Sequence, residues 1–381
     1  MAIGWLLLFA LFLSMVQRII FGSRRLSKIE YARYFNAQNC YAGDAIELVE
    51  RIYNSRILPV PWLRLESRIH SGLRFQSRFN LDVSEGDLFQ HHKSLFSLGP
   101  HTQVVRRHQV VCDKRGYYSL DSAFMTGGDL LGIETGSRSL QLNAELIVYP
   151  KLVSIDDISL PSHSWQGDIT VKRWIVEDPF MFSGVREYRY GDPLNHINWK
   201  ATARSGNLQV HHKDFTADHS LIIYLDFSVS EGFWQSVMNM GKINELKEKG
   251  ISYAASIAQF ALSKGIETGF GCNGSTQDSP GEVVKVPSSS GSVQFTSLQE
   301  TMAKLRLESV QPFDMFLEDD VLQNVVNTDY LLITPYLSEK TQIQIDRLKS
   351  YGNAVEVLWL HPEDQEQVVE KSREGKEVES V

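Results

Sequence analysis

Oxygen donors at alternate positions mark the first place where this chain could do chemistry: Asp226-Phe227-Ser228-Val229-Ser230. A carboxylate and two hydroxyls offset by two are hard oxygen ligands of the kind that hold Mg²⁺. The segment closes the apolar run LIIYLDF at 221–227, which reads as a buried strand. In an open parallel sheet, ligands bind beyond the carboxyl ends of the strands. The competing reading is a plain turn capped by Asp226 and Ser228.

A second concentration of chemical groups lies just upstream, at 183–213. It is locally basic, with Arg186, Arg189, Lys200, Arg204 and Lys213 set against Glu187 and Asp192. A guanidinium grips a carboxylate through two parallel hydrogen bonds, so these residues can build an ion-pair network between domains. Tyr188 and Trp199 would then be packing residues. The same positive excess also suits a docking surface for an acidic partner, or a site for a phosphate or carboxylate ligand.

Other groups carry less. His91-His92 and His211-His212 are adjacent pairs, and neighbours on a strand face opposite ways, so neither pair grips one metal. Gly127-Gly128-Asp129-Leu130-Leu131-Gly132 lacks the GK[ST] ending of a phosphate loop and reads as a turn. No G-x-S-x-G frame is present to activate a serine. Three cysteines, Cys40, Cys112 and Cys272, are widely spaced with no CxxC, which points to reduced thiols in a cytosolic setting and away from a disulfide framework or a zinc site.

The elements that must position these groups divide the chain. With 381 residues there is room for about two domains and tails. The net charge of −8 argues against nucleic acid as a partner. The run 2–21, AIGWLLLFALFLSMVQRIIF, is long enough at ~1.5 Å per residue to cross a ~30 Å hydrocarbon layer. No cation precedes it and no A-x-A site follows, so a transmembrane anchor is expected in preference to a cleaved signal peptide. Arg18, Arg24, Arg25 and Lys28 after it place the bulk of the chain in the cytoplasm of a single-pass membrane protein. From 40 to 149, short alternating runs broken by turns predict an antiparallel sandwich. After the basic segment, strands and helices alternate, which predicts a parallel sheet with helices on both faces. Ser297 and Glu300 form a capping-box signature for a helix start. The last residues, from 362, are charged and nearly free of aromatics, and read as disordered.

The run Gly184-Val185-Arg186-Glu187-Tyr188-Arg189-Tyr190-Gly191-Asp192-Pro193, followed by Ile197-Asn198-Trp199-Lys200-Ala201-Thr202-Ala203-Arg204, closely resembles the signature of domain-of-unknown-function family 58. Tyr117-Tyr118, Asp129-Leu130-Leu131-Gly132 and Val148-Tyr149-Pro150 resemble that family's upstream pattern. There are two departures: Asn198 stands where the family usually has Asp, and one N-terminal apolar helix is visible where many members have two. D-x-S-x-S at 226–230 also resembles the metal-adhesion motif of von Willebrand factor type A domains. That likeness implies a Thr from a second loop, for which Thr296 is the candidate, and an Asp after a later strand. Here Leu332-Ile333-Thr334-Pro335 offers no such Asp.

Together these readings set the expectations. The fold class is α+β multidomain: a transmembrane anchor (1–22), a juxtamembrane helix or linker (23–39), a β-sandwich-like domain (40–160), the signature segment (161–215), a von Willebrand factor A-like α/β domain (216–361) and an acidic tail (362–381). The resemblance implies a partner, a MoxR-type AAA+ ATPase, and a chaperone-like task in assembling or activating client proteins at the membrane. The role is binding or scaffolding, not catalysis. The signature residues Arg186, Glu187, Tyr188, Arg189, Gly191, Asp192, Asn198, Trp199, Lys200 and Arg204 would join the domains or face the partner. Asp226, Ser228 and Ser230 would hold Mg²⁺ if any metal binds. The alternatives are a metal-dependent hydrolase of envelope precursors and a peptide-binding module without an ATPase partner.

Overall fold

In the computed structural model, residues 26, 28–76, 82–84, 86, 89–128, 135–158, 177–188, 197–215, 220–228, 240–326 and 328–360 are described, with positions 3–5, 8–9, 11–12 and 15 ahead of them. For 177–186 and 211–215 the backbone path alone is described. The chain divides into two units, Met1–Lys151 and Leu152–Val381.

From residue 29 on, the first unit is built from strands: β1 (Ile29–Phe35), β2 (Asn39–Tyr41), β3 (Ala45–Asn54), β4 (Val60–His70), β5 (Leu73–Phe75), β6 (Asp82–Ser84), β7 (Phe89–Leu98), β8 (Gln103–Cys112), β9 (Gly116–Gly128) and β10 (Thr135–Tyr149). They form two sheets, ordered β1-β3-β8-β5 and β2-β10-β9-β4-β7-β6. Pairing is antiparallel except for β2, which runs parallel to β10. Side chains alternate across each strand. Ile46 and Leu48 of β3 and Val110 and Cys112 of β8 therefore meet Leu120 of β9 and Leu146 and Val148 of β10 in one buried cluster. A second cluster joins Ile29 and Ile52 to Leu63, Leu65, Leu98 and Met125.

The second unit begins its regular structure with β11 (Glu177–Glu187), helix α1 (Trp199–Ser205) and β12 (Gln209–Phe215), in which β11 and β12 pair antiparallel. It continues with β13 (Ser220–Leu225), α2 (Met240–Ser263), β14 (Thr268–Cys272), β15 (Gly274–Thr276), β16 (Val284–Ser289), α3 (Ser292–Ala303), β17 (Leu305–Ser309), α4 (Phe313–Leu322), β18 (Thr328–Thr334), α5 (Glu339–Ser350) and β19 (Ala354–Trp359). The five-stranded sheet has the order β16-β14-β13-β18-β19. Its pairs are parallel except β14 with β16. Leu221, Ile223 and Leu225 pack on one face with Ala254, Ala258 and Met302. Tyr224, with Tyr330 and Leu332, packs on the other with Phe316, Leu317 and Leu348. Burial on both faces is why 221–225 of β13 and 330–333 of β18 are continuous apolar runs instead of alternating.

The expected fold class is corrected. Among the described residues strand predominates over helix, a largely β-rich fold in place of the expected α+β multidomain fold led by a transmembrane helix. Among the described residues no helix is long and apolar enough to cross a membrane, so the expected transmembrane anchor is not found. Most of the 2–21 run lies outside the described residues, as does the tail from 361. Residues expected to form a juxtamembrane helix or linker instead make β1, because Ile29, Tyr31, Arg33 and Phe35 fall on one face of a strand in full register with β3. Ser297 and Glu300 lie inside α3, whose start is capped at Gly291, so the capping-box reading is also corrected.

Close approach at the sheet edge depends on a missing side chain. A Cβ at Gly271 of β14 would lie 2.8 Å from Tyr224 Cε1 and 2.8 Å from the Val284 carbonyl oxygen. Both neighbours belong to packed strands and cannot retreat cheaply. Gly271→Ala is expected to destabilise the second unit by about 1–3 kcal/mol, measured as the urea midpoint at constant m-value; an unchanged midpoint would show that this edge can spread.

Candidate functional site

Three neighbouring parallel strands end together and bring three polar side chains to one point. Leu225 of β13 is in register with Cys272 of β14 and with Ile333 of β18. The next residue on each strand is therefore Asp226, Asn273 and Thr334, side by side at the carboxyl rim of the sheet. Asp226 is 3% exposed and Asn273 and Thr334 are fully buried, so each must find its hydrogen bonds inside the protein.

Asp226 is surrounded by donors. Its Oδ1 accepts from the Ser228 amide at 2.7 Å and from Asn273 Nδ2 at 3.0 Å, and Thr334 Oγ1 lies 2.9 Å from Oδ2. Asn273 in turn accepts from the Phe227 amide at 2.8 Å, and its Nδ2 lies 2.8 Å from Ser228 Oγ and 3.2 Å from the Gln311 carbonyl. Thr334 carries a conflict. Its hydroxyl is 2.6 Å from the Tyr336 carbonyl as well as within reach of Asp226, and it accepts from the Tyr336 amide. One hydroxyl proton cannot serve two acceptors. The Thr334 proton is therefore contested between Asp226 Oδ2 and the Tyr336 carbonyl. Burial pushes Asp226 up to about 6, and the bonds from Ser228, Thr334 and Asn273 pull the other way without cancelling it. Burial also holds Lys247 below the usual lysine range, with Asp226 and Glu308 opposing, while its Nζ donates to the Leu307 carbonyl at 2.7 Å.

This geometry does not fit Mg²⁺. The lone pairs that a cation would use are engaged by N–H and O–H groups, and a hard cation needs six oxygen ligands presented outward. Ser228 is half-buried with its Oγ beside Asn273, and Ser230 lies outside the described residues. Thr296 spends its hydroxyl on the Ser292 carbonyl within α3. Among the described residues no group of three or more His, Cys, Asp or Glu is placed to hold a metal ion. Asn273, the residue that organises the rim, went unread in the sequence; its signal is its place immediately after the second strand of the sheet.

The signature segment forms a strand, a short helix and a returning strand. Asn198 caps α1, its Oδ1 accepting from the Ala201 amide at 3.0 Å, and Gly206 ends the helix at φ 77°. Asp and Asn serve equally at that cap, so the Asn198 departure leaves the local fold intact. Backbone bonds from Asn198 to Gln209 and from Tyr188 to Leu208, with the Gln209 amide donating to Thr202 Oγ1, tie the helix to β12. Arg186 and Glu187 pair with Val210 and Gln209 across the β11–β12 ladder, and Glu187 is exposed while Tyr188 is half-buried. Lys200 and Arg204 are exposed and Trp199 is 69% exposed, so the expected packing role for Trp199 is corrected: the ring stands in solvent. An open concavity of about 590 Å³ is lined by Asn198, Lys200, Ala201, Arg204, Ser205 and Gln209. Arg189, Gly191 and Asp192 lie outside the described residues.

A third polar group sits inside the sandwich and was missed. Glu50 of β3 accepts from Tyr31 Oη at 2.8 Å, from Arg106 at 3.0 Å and from His108 Nε2 at 3.1 Å. The Arg33 guanidinium, wholly buried, lies 4.0 Å away. Burial alone would raise Glu50, but the bonds from His108, Tyr31 and Arg106 outweigh it and hold the carboxyl at about 2. A cavity of about 10 Å³ beside it, lined by Tyr31, Ser67, His92 and Ser94 among others, has room for one water. The adjacent histidines divide as strand geometry requires, His91 exposed and His92 buried.

The family described as "Protein of unknown function DUF58" matches residues 184–352, from the signature strand to the turn after α5. The uncharacterized protein YeaD of Bacillus subtilis (strain 168) is 18% identical over 338 residues, covering 88% of this chain and 78% of its own. Among solved structures, a non-cellulosomal cohesin from Archaeoglobus fulgidus is 13% identical, covers 33% of this chain and 92% of its own, and has a TM-score of 0.21. The sporulation control protein Spo0M from Bacillus subtilis is 8% identical, covers 31% and 49% respectively, and has a TM-score of 0.18. At those scores neither structure bears on fold or function.

Two of the buried carboxylates, Asp226 and Glu50, predict opposite pH behaviour. Asp226, raised from 3.8 to about 6, contributes stability that is present below 3.8 and lost as pH rises through 6, about 3 kcal/mol in all. Asp226→Asn should flatten that slope in urea titrations between pH 4 and 7. Glu50, lowered from 4.5 to about 2, contributes stability that is present above 4.5 and lost as pH falls through 2. Glu50→Gln strands buried cations and should cost about 3–5 kcal/mol at pH 7, with the deficit shrinking toward pH 2; equal deficits at both pH values would contradict an ionised Glu50.

Proposed function

We propose that this is a binding and scaffold protein whose docking face is α1 and the concavity beside it. The observation that carries the reading is Trp199, 69% exposed on a capped helix and flanked by the exposed cations Lys200 and Arg204. Trp and Arg dominate binding energy where they are buried by a partner, and the two cations suit an acidic partner surface. The helix lies within the segment that matches the family of unknown function. The resemblance in the signature implies a MoxR-type AAA+ ATPase as that partner and the assembly or activation of client proteins as the shared task. The rim around Asp226 is the second contact surface in this reading, by likeness to von Willebrand factor type A domains. That likeness draws support from an acidic residue at the carboxyl end of a parallel strand, with contact made without a metal. A hydrolase using Asp226 draws less support, because that carboxyl is engaged by Asn273, Ser228 and Thr334 and faces inward.

Mixing the purified full chain with a purified MoxR-type ATPase, without nucleotide and with ADP or ATP, tests the proposal by co-sedimentation. Trp199→Ala is expected to weaken capture about tenfold or more, and Lys200→Glu with Arg204→Glu to weaken it most at low salt, the deficit shrinking as salt rises, all with unchanged melting. No capture in any nucleotide state would refute the ATPase as partner, and undiminished capture by the variants would move the docking face elsewhere.

A further inference from the structure

Cys40 and Cys112 are 72 positions apart in sequence, yet their sulfurs lie 3.4 Å from each other inside the sandwich. Cys40 stands on β2, the edge strand of the six-stranded sheet, and Cys112 ends β8 in the opposite sheet. Backbone bonds fix this approach. The Gly43 amide donates to the Cys112 carbonyl at 2.8 Å, and the Cys112 amide donates to the Asp44 carbonyl at 2.9 Å. Gly43 holds φ 102°, a conformation that lets the turn after β2 fold back onto β8. Both cysteines are thiols, and both are buried, Cys40 at 8% exposed and Cys112 at 0%. A disulfide needs its sulfurs at about 2.05 Å, so forming it brings the two sulfurs together from 3.4 Å.

We propose that Cys40 and Cys112 are a modification site at which a peroxide forms a disulfide, stapling the edge strand β2 to the opposite sheet. Cys40 is the attacking group. The neighbouring Cys112 thiol stabilises its thiolate and lowers it, against burial and Asp44, and Cys40 is the more exposed of the two. The Cys40 thiolate attacks one peroxide oxygen; the S–O bond forms, the O–O bond breaks, and the leaving hydroxide takes a proton to become water. The Cys112 sulfur then attacks the Cys40 sulfenic acid; the S–S bond forms, the S–O bond breaks, and a second water leaves with the Cys112 proton. The two thiols are oxidised by two electrons and one peroxide is reduced to two waters. Exchange with an added dithiol reverses the link. Cys272, in the other unit, is buried on β14 and remains a thiol.

The test treats the full-length protein with hydrogen peroxide, alkylates it under denaturing conditions and maps its peptides. The expected result is a peptide containing Cys40 joined to one containing Cys112, two hydrogens lighter than their sum and separated by dithiothreitol, with Cys272 alkylated. The oxidised protein should also melt roughly 10 °C higher, since the link closes a long loop; Cys40→Ala and Cys112→Ala should each abolish that shift. Alkylation of both cysteines after peroxide, their conversion to sulfinic acid without a cross-link, or a link to Cys272 or between molecules would overturn the proposal. The wild-type peptide map decides this even if a variant fails to fold.

Discussion

A carboxylate removed from water must be surrounded by groups that replace its hydration, and each unit holds at least one such residue. Glu50 in the sandwich is met by Arg106, His108 and the Tyr31 hydroxyl, with Arg33 at 4.0 Å, and it stays charged. Asp226 at the sheet rim is met by an amide side chain, a backbone amide and a hydroxyl, and it is held toward its neutral form. The contrast is one of local charge: cations touch the first carboxylate, and neutral dipoles touch the second. Both arrangements are set by strand register, which in β-structure determines what lies beside what.

That dependence on register explains what could be read from the chain. The apolar runs that become β13 and β18, the stop at Gly352-Asn353 and the alternation before residue 150 were visible because they are patterns of residue type. Glu50 was visible in principle, since it follows Ile46 and Leu48 on the inward face of β3 and precedes Ile52. Arg33 likewise keeps step with Ile29 and Tyr31. Both sit in mixed polar runs, where residue type alone does not separate a buried charge from a solvated one. The strand β1 lies in a basic aromatic stretch that masks its alternation in the same way. Asn273, Thr334 and the meeting of Cys40 with Cys112 depend on pairings between distant strands, and no local pattern encodes those.

The signature segment shows how a local motif and a global fold divide the work. Asn198 and Gly206 begin and end a seven-residue helix by well-understood capping chemistry. The Thr202 hydroxyl and backbone bonds then fasten it to β12. With its framework satisfied internally, the helix can leave Trp199 and two cations in solvent. An aromatic side chain of that size held on a short rigid helix loses little entropy when a partner covers it.

The pairing of β2 with β10 has a consequence for biosynthesis. Asn39–Tyr41 lie alongside Ile147–Tyr149 in a parallel arrangement, while the strands between them fill both sheets. As the chain leaves the ribosome, β1 can zip onto β3 early, but β2 has no neighbour until the end of β10 has emerged. The sandwich is thus sealed last by one of its earliest-made strands, so the nascent chain holds an open seam through most of the unit's synthesis and is most in need of shielding just before residue 149 appears.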